Sequence, residues 1–355
     1  MENKKYLSDF YDFQYGKGNN NPDNGGQYPV YGSNGIIGWY DKYNSEDAPV
    51  IGHIGANCGS VVWASGKHFV TYNGVICNAK PNVNKRFAYY SLLNAHLEKR
   101  TRGAAQPFVS YDLLNKVSVY APVLPIQNKI ASILSTYDTL IENNTKRIRL
   151  LEKMAENLYK EWFVRFRFPG HEKVEMENGL PKGWSRGSLS EICEFKRGKN
   201  ITSSKMVEGS IPVISAGLEP SGFHNEANVN GVSVTMSSSG ANAGYIAVHY
   251  SDIWAADCSY IEESTTPYIY YVYELLNNIR GVISNFQRGA AQPHVYPKDI
   301  NRIKLIVTSE DLMRLANERL SVMHKLIHKF QQQNTLLARQ RDLLLPRLMS
   351  GKLEV

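Results

Sequence analysis

Two arginines and two glutamines stand in a string that the chain spells twice, RGAAQP at Arg102–Pro107 and again at Arg288–Pro293. A guanidinium presents a planar fork of N–H donors matched to phosphate oxygens, and a carboxamide adds a donor and an acceptor. Arg102, Gln106, Arg288 and Gln292 could therefore bond a nucleic-acid backbone, or tie down carbonyls of their own loop. Lys17, Arg197 and Lys199 lie beside glycines and carry the same pair of readings, phosphate contact or solvated loop cation. Asn34, Lys67 and His224 offer side chains that can bond base edges, against the plainer reading of surface residues.

Chemistry on a covalent bond is harder to find. There is no GxxxxGK[ST] phosphate loop, and GSNGIIG at Gly32–Gly38 has the wrong glycine spacing for a dinucleotide fingerprint. No Asn-Pro-Pro-aromatic or Asp-Pro-Pro-aromatic string is present to grip the amine of a flipped base. Glu194-Phe195-Lys196 looks like the acidic-x-Lys end of a metal-dependent nuclease site, yet its counterpart Asp12-Phe13-Gln14 lacks the lysine. His324 and His328, four apart on a helix, could share a metal ion, but no third ligand is evident and a polar helix face accounts for them.

These residues need elements to hold them, and the elements come in duplicate. Gly16-Lys17 recurs as Gly198-Lys199, Pro29-Val30 as Pro212-Val213, and GANCG at Gly55–Gly59 as GANAG at Gly240–Gly244. With RGAAQP the offsets are 182, 183, 185 and 186 residues, in order, which marks a tandem duplication with small insertions. Residues common to two copies of otherwise different sequence suit folding, phosphate positioning and docking, while readers of bases belong where the copies diverge.

Each copy opens with short apolar runs cut by Gly, Asn and Pro, the pattern of short strands and turns, with small helices at FAYYSLLNAHL and TPYIYYVYELLNNI. The apolar period then changes to steps of three and four. Ile130, Leu134, Tyr137, Ile141, Asn144, Ile148, Leu151, Ala155, Leu158 and Trp162 make one seam. Ala316, Leu320, Met323, Ile327, Phe330, Asn334, Leu337, Arg341, Leu344 and Leu348 make another, until Pro346 stops or kinks the helix. Helices of about 38 residues run roughly 57 Å, and a stripe that long needs a partner, most simply the other helix. Seam asparagines Asn144 and Asn334 would fix register.

The expected fold is α+β: two mostly β recognition domains at 1–123 and 169–308, with two long antiparallel helical regions at 124–168 and 309–355 forming a coiled-coil spacer, a dumbbell with an approximate two-fold axis. Trp162 and Phe163, in an aromatic run after the first helix, could anchor either the second globule or a partner subunit. The 355 residues carry a net charge of +7, which fits a polyanionic partner without demanding one. No window reaches the roughly 18 to 20 apolar residues of a spanning helix. The opening MENKKYLSDF shows no signal stretch, and four cysteines without CxxC spacing read as reduced thiols of a soluble cytoplasmic protein.

Over its whole length the chain resembles the specificity subunits of Type I restriction and modification systems. The likeness lies in the four-part layout, in NLYKEWFVRFRFPG at Asn157–Gly170 and in the ending LLLPRLMSGKLEV at Leu343–Val355. The resemblance implies a non-catalytic subunit that reads a bipartite, asymmetric double-stranded DNA site, one half per domain. It further implies recruitment of two adenine methyltransferase subunits and two restriction and translocation subunits. S-adenosylmethionine would belong to the methyltransferase, ATP and Mg to the restriction subunit, and no cofactor to this chain. Two other classes remain open: a self-sufficient DNA-modifying or DNA-cleaving enzyme, and a coiled-coil scaffold that binds proteins and leaves DNA alone.

Overall fold

β-branched and aromatic runs of four to ten residues, each broken by Gly, Pro or Asn, fold as antiparallel strands because their alternate side chains share one apolar face. The structure, a computed structural model, describes residues 4–18, 23–101, 107–286 and 293–355. It divides into two units, Met1–Asn143 with Gln333–Val355, and Asn144–Gln332. Each unit thus takes part of both long helices.

In the first unit six strands form one sheet in the order Tyr11–Tyr15, Gly74–Ala79, Ser45–Gly52, Val61–Val70, Tyr28–Gly32, Gly35–Tyr40. Most neighbours are antiparallel, but Val30 and Tyr31 pair in parallel with Phe69 and Val70. The second unit repeats this plan in two smaller sheets. Strand Ile211–Ile214 lies between antiparallel Gly222–His224 and parallel Trp254–Ala255, while Ser233–Ser237 lies between Cys258–Glu262 and Ile246–His249. Both units also close the ends of their globule with a short pair, Lys4–Tyr6 on Ser118–Tyr120 and Ser185–Ser188 on Lys304–Val307.

A small helix covers each sheet, Lys85–Asn94 in one unit, starting two residues before the segment expected from sequence, and Ile269–Asn278 in the other, within its expected segment. The long helices run Leu124–Tyr159 and Glu310–Leu348, 36 and 39 residues. All ten seam positions on each are buried or half-buried. Inside the second unit Arg147 lies 5.5 Å from the Phe330 ring and Arg319 5.6 Å from Trp162. Numbering therefore rises along one helix as it falls along the other, and the two run antiparallel there. Pro346 sits within the last turn without ending it, since so near the terminus a missing N–H removes a single bond.

Side chains of the long helices anchor the small ones. Gln127 Oε1 accepts from Asn84 N–H at 3.1 Å, and Asn84 Oδ1 caps the helix by accepting from Arg86 and Phe87 N–H. In the second unit Asn317 Oδ1 accepts from the N–H groups of Tyr270 and Tyr271. A second anchor lies two to three turns further along each helix. Asp138 accepts from Tyr90 Oη at 2.6 Å and from Arg341 at 2.7 Å. His324, only 2% exposed, meets Glu274 Oε1 at 3.2 Å and Tyr250 Oη at 2.9 Å, and stacks on Tyr270. The polar helix face expected for His324 is thus a buried contact, because Glu274 and Tyr250 supply the partners that make its burial affordable. His328 stacks on Tyr250, and among the described residues no group of three metal-capable side chains occurs. All four cysteines are free and buried, and among the described residues no helix is long and apolar enough to cross a membrane.

His249 meets Thr235 Oγ1 at 2.8 Å, and burial holds its pKa down to about 4 from the ordinary 6.5. The unfolded chain binds a proton that the folded chain refuses, so this contribution to stability is complete above pH 6.5 and is lost as pH falls toward 4. Urea midpoints followed from pH 7 to pH 5 should show a loss approaching about 1.4 kcal/mol per pH unit from this group, and His249→Gln should flatten that slope.

Candidate nucleic-acid interface

Strands Ser45–Gly52 and Ser233–Ser237 both lead into the repeated glycine-rich string, and both strings fold as the same turn. Gly59 N–H donates to Gly52 O at 2.8 Å and Cys58 N–H to Gly55 O at 2.9 Å. Their counterparts are Gly244 N–H to Ser237 O at 2.9 Å and Ala243 N–H to Gly240 O at 3.0 Å. The first and last glycines need their missing Cβ: φ is +95° and +83° at Gly55 and Gly59, +73° and +82° at Gly240 and Gly244.

The turn clasps the exit of the repeated hexapeptide. Gly55 N–H donates to Pro107 O and Gly240 N–H to Pro293 O, each at 3.0 Å. One residue on, Phe108 bridges to Ile54 and His294 to Ser239, and Val109 and Val295 then drop into the cores. The two repeated strings, some fifty residues apart in sequence, are therefore one structural feature built twice. Arg102, Gln106, Arg288 and Gln292 themselves lie outside the described residues.

The Gly-Lys pairs are also explained. A Cβ on Gly16 would stand 2.0 Å from Thr71 O, and one on Gly198 2.4 Å from Ala256 O, so backbone crosses backbone where only glycine fits. Lys17 N–H donates to Val70 O and Lys199 N–H to Ala255 O, leaving both side chains exposed. In the first unit the lysine loop connects to the turn, since Tyr72 N–H donates to Gly18 O and His53 Nδ1 lies 3.2 Å from Tyr72 O. In the second unit Asp257 makes the link: Arg197 approaches it at 3.7 Å and Ser239 Oγ donates to it.

The hairpin beside the turn is where the units differ. In the first, Ser33 and Asn34 alone join strands Tyr28–Gly32 and Gly35–Tyr40, and Ser33 Oγ contacts Ile54 O at 2.8 Å and Asn73 O at 2.6 Å. Asn34 is exposed and accepts from Asn57 Nδ2 in the turn. In the second, residues 215–221 make a longer tip whose neck is closed by Ser215 and Ser221 hydroxyls 3.1 Å apart, and Ser237 Oγ donates to Ala216 O.

A family profile described as Type I restriction modification DNA specificity domain matches residues 4–153 and 181–312. The chain belongs to that family. Among curated relatives, the MjaIX specificity subunit of Methanocaldococcus jannaschii is 26% identical over 78% of this chain and 71% of its own length. The EcoprrI specificity subunit of Escherichia coli is 33% identical over 37% of this chain and 33% of its own. In fold the chain is similar to the crystal structure of the Type I S subunit of Mycoplasma genitalium, with TM-score 0.68 and 22% identity over 98% of this chain and 95% of that one. It is a Type I specificity subunit with two target recognition domains, and its work is DNA sequence recognition.

Among the residues singled out from sequence, Lys17 and Asn34 adjoin the turn of the first recognition domain, and Arg197 and Lys199 that of the second. Lys67 stands apart with its ammonium 4.6 Å from the Tyr43 ring, and the hydrogen bond it donates to the Tyr43 side chain raises its pKa. His224 is not on the surface: it is buried, accepts from Val207 N–H at 3.0 Å and meets Trp254 edge-to-face. Nor do Trp162 and Phe163 form an exposed docking patch. They are 9% and 7% exposed in the core of the second unit, with Phe163 against Tyr271 and Trp184, because a wider helical turn at Lys160–Val164 swings them inward.

Sequence reasoning passed over Asn57 and Asn242, hidden inside a string read for its glycines. It also passed over Trp39 and Phe223, which sit on edge strands opposite Pro29 and Pro212 with 48% and 56% of their surface exposed. The repeated Pro-Val pair was the available signal, and such side chains can stack on bases or wedge between them.

A Cβ on Gly244 would meet the side-chain methyls of Ile283 at 3.1 Å and Val295 at 3.9 Å, whereas one on Gly59 would meet the Glu98 backbone nitrogen at 2.5 Å. Gly244→Ala should therefore cost about 1–2 kcal/mol from its left-handed φ alone, and Gly59→Ala clearly more, compared by urea denaturation.

Proposed function

We propose that this specificity subunit reads a bipartite, asymmetric DNA site, one half per recognition domain. In this reading it orients two adenine methyltransferase subunits and two restriction and translocation subunits without catalysing either reaction. The observation that carries the reading is the turn-and-proline clasp, built alike in both domains beside hairpin tips that differ in length and sequence. A common frame supplies the same approach to the sugar-phosphate backbone, and different tips supply different base contacts, so two unlike half-sites follow from one fold.

Lys17, Arg197 and Lys199 fit the phosphate side of that division, and each phosphate they neutralise makes binding fall more steeply with salt. The long helices act as the ruler between half-sites. S-adenosylmethionine stays on the methyltransferase, and ATP and Mg on the restriction subunit; this chain contributes address alone.

Sequencing of methylated adenines in host DNA, with the chain present and deleted, tests the reading. Methylation confined to one two-part sequence and dependent on the chain is expected. Methylation that persists unchanged without it, or catalysis by the purified chain alone with S-adenosylmethionine, contradicts the reading.

A further inference from the structure

The first recognition domain places two carboxamides side by side at the boundary between its common frame and its variable tip. Asn57 belongs to the glycine turn, fixed by the left-handed residues on either side of it. Asn34 belongs to the two-residue hairpin tip, fixed because Ser33 contacts the carbonyls of Ile54 and Asn73 and its own carbonyl accepts from Ser60 Oγ. Both are exposed, and the Asn57 amide donates to the Asn34 carbonyl oxygen.

That bond uses one donor and one lone pair. Asn34 keeps its NH2 and Asn57 keeps its carbonyl oxygen, so the pair presents a donor next to an acceptor. Exchanging the two roles leaves one donor and one acceptor all the same. Their complement in the DNA major groove is the adenine edge, where N7 accepts and the N6 amine donates. Guanine offers two acceptors there, cytosine a donor alone, and thymine an acceptor with a methyl group.

The second domain shows which half of the pair is free to vary. Asn242 holds the place of Asn57 in the same turn, but the tip beside it reads SAGLEPS at Ser215–Ser221, without an asparagine and with Leu218 60% exposed. A constant amide with a changing neighbour is a way to give two domains different base preferences on one frame.

We propose that Asn34 and Asn57 together read one adenine of the half-site bound by the first recognition domain, through its N7 and N6 in the major groove. The inference rests on the bipartite reading given under Proposed function. Asn34→Ala, Asn57→Ala and Asn34→Asp, each in the full chain with its methyltransferase partner, are compared by mapping methylated adenines across genomic DNA.

With either alanine variant, discrimination at one adenine of the first half-site should fall about 10- to 100-fold while the second half-site is read as before. Asn34→Asp keeps the bond from Asn57 but leaves acceptors only, and should move the preference at that position toward cytosine. Intact reading of the second half-site certifies that each variant is folded. A consensus unchanged in all three variants, or relaxation at a base other than adenine, overturns the proposal. A wild-type chain that directs methylation to no defined sequence overturns the bipartite reading and this inference with it.

Discussion

The bond on which the candidate interface depends is a backbone one, from the first glycine of the turn to the proline that ends the repeated hexapeptide, Gly55 to Pro107 and Gly240 to Pro293. It gathers three stretches far apart in sequence: the turn, the hexapeptide exit and the hairpin fastened to that turn. A left-handed glycine stands there in both copies, with its N–H pointed at the proline carbonyl. Freedom is left to the hairpin tip, and there the copies part company.

Each domain must also be held on the long helices, and the two solve this with different chemistry at equivalent places. Tyr90, Asp138 and Arg341 form the contact in the first unit, while Glu274, His324 and Tyr250 form it in the second. Such desolvated polar contacts add little net stability, because removing charges from water offsets the attraction. Breaking one, however, leaves a buried group without its partner, so they disfavour every other seating of sheet on helix.

Much of this was legible in the chain. The change of apolar period gave both long helices, and all twenty seam residues are buried or half-buried, because a stripe at heptad spacing has few ways to be buried. The repeat gave the two domains and pointed to the turn. What sequence could not supply was burial inside a domain. His224 looked like surface chemistry by residue type, yet strand pairing puts it indoors, and of the two anchors open to Trp162 and Phe163 it is the core of the second globule that holds them. Asn57 went unnoticed for the converse reason: its neighbours' conformational demands are loud in sequence, while the pairing of its amide with Asn34 exists only after folding.

Footprinting of the chain with its methyltransferase partner on a duplex carrying the methylated sequence tests the central claim directly. Two protected patches separated by unprotected base pairs, with one patch lost when the hairpin tip of one domain is exchanged for that of the other, is the result expected. A single continuous patch, or two patches indifferent to the exchange, would contradict it.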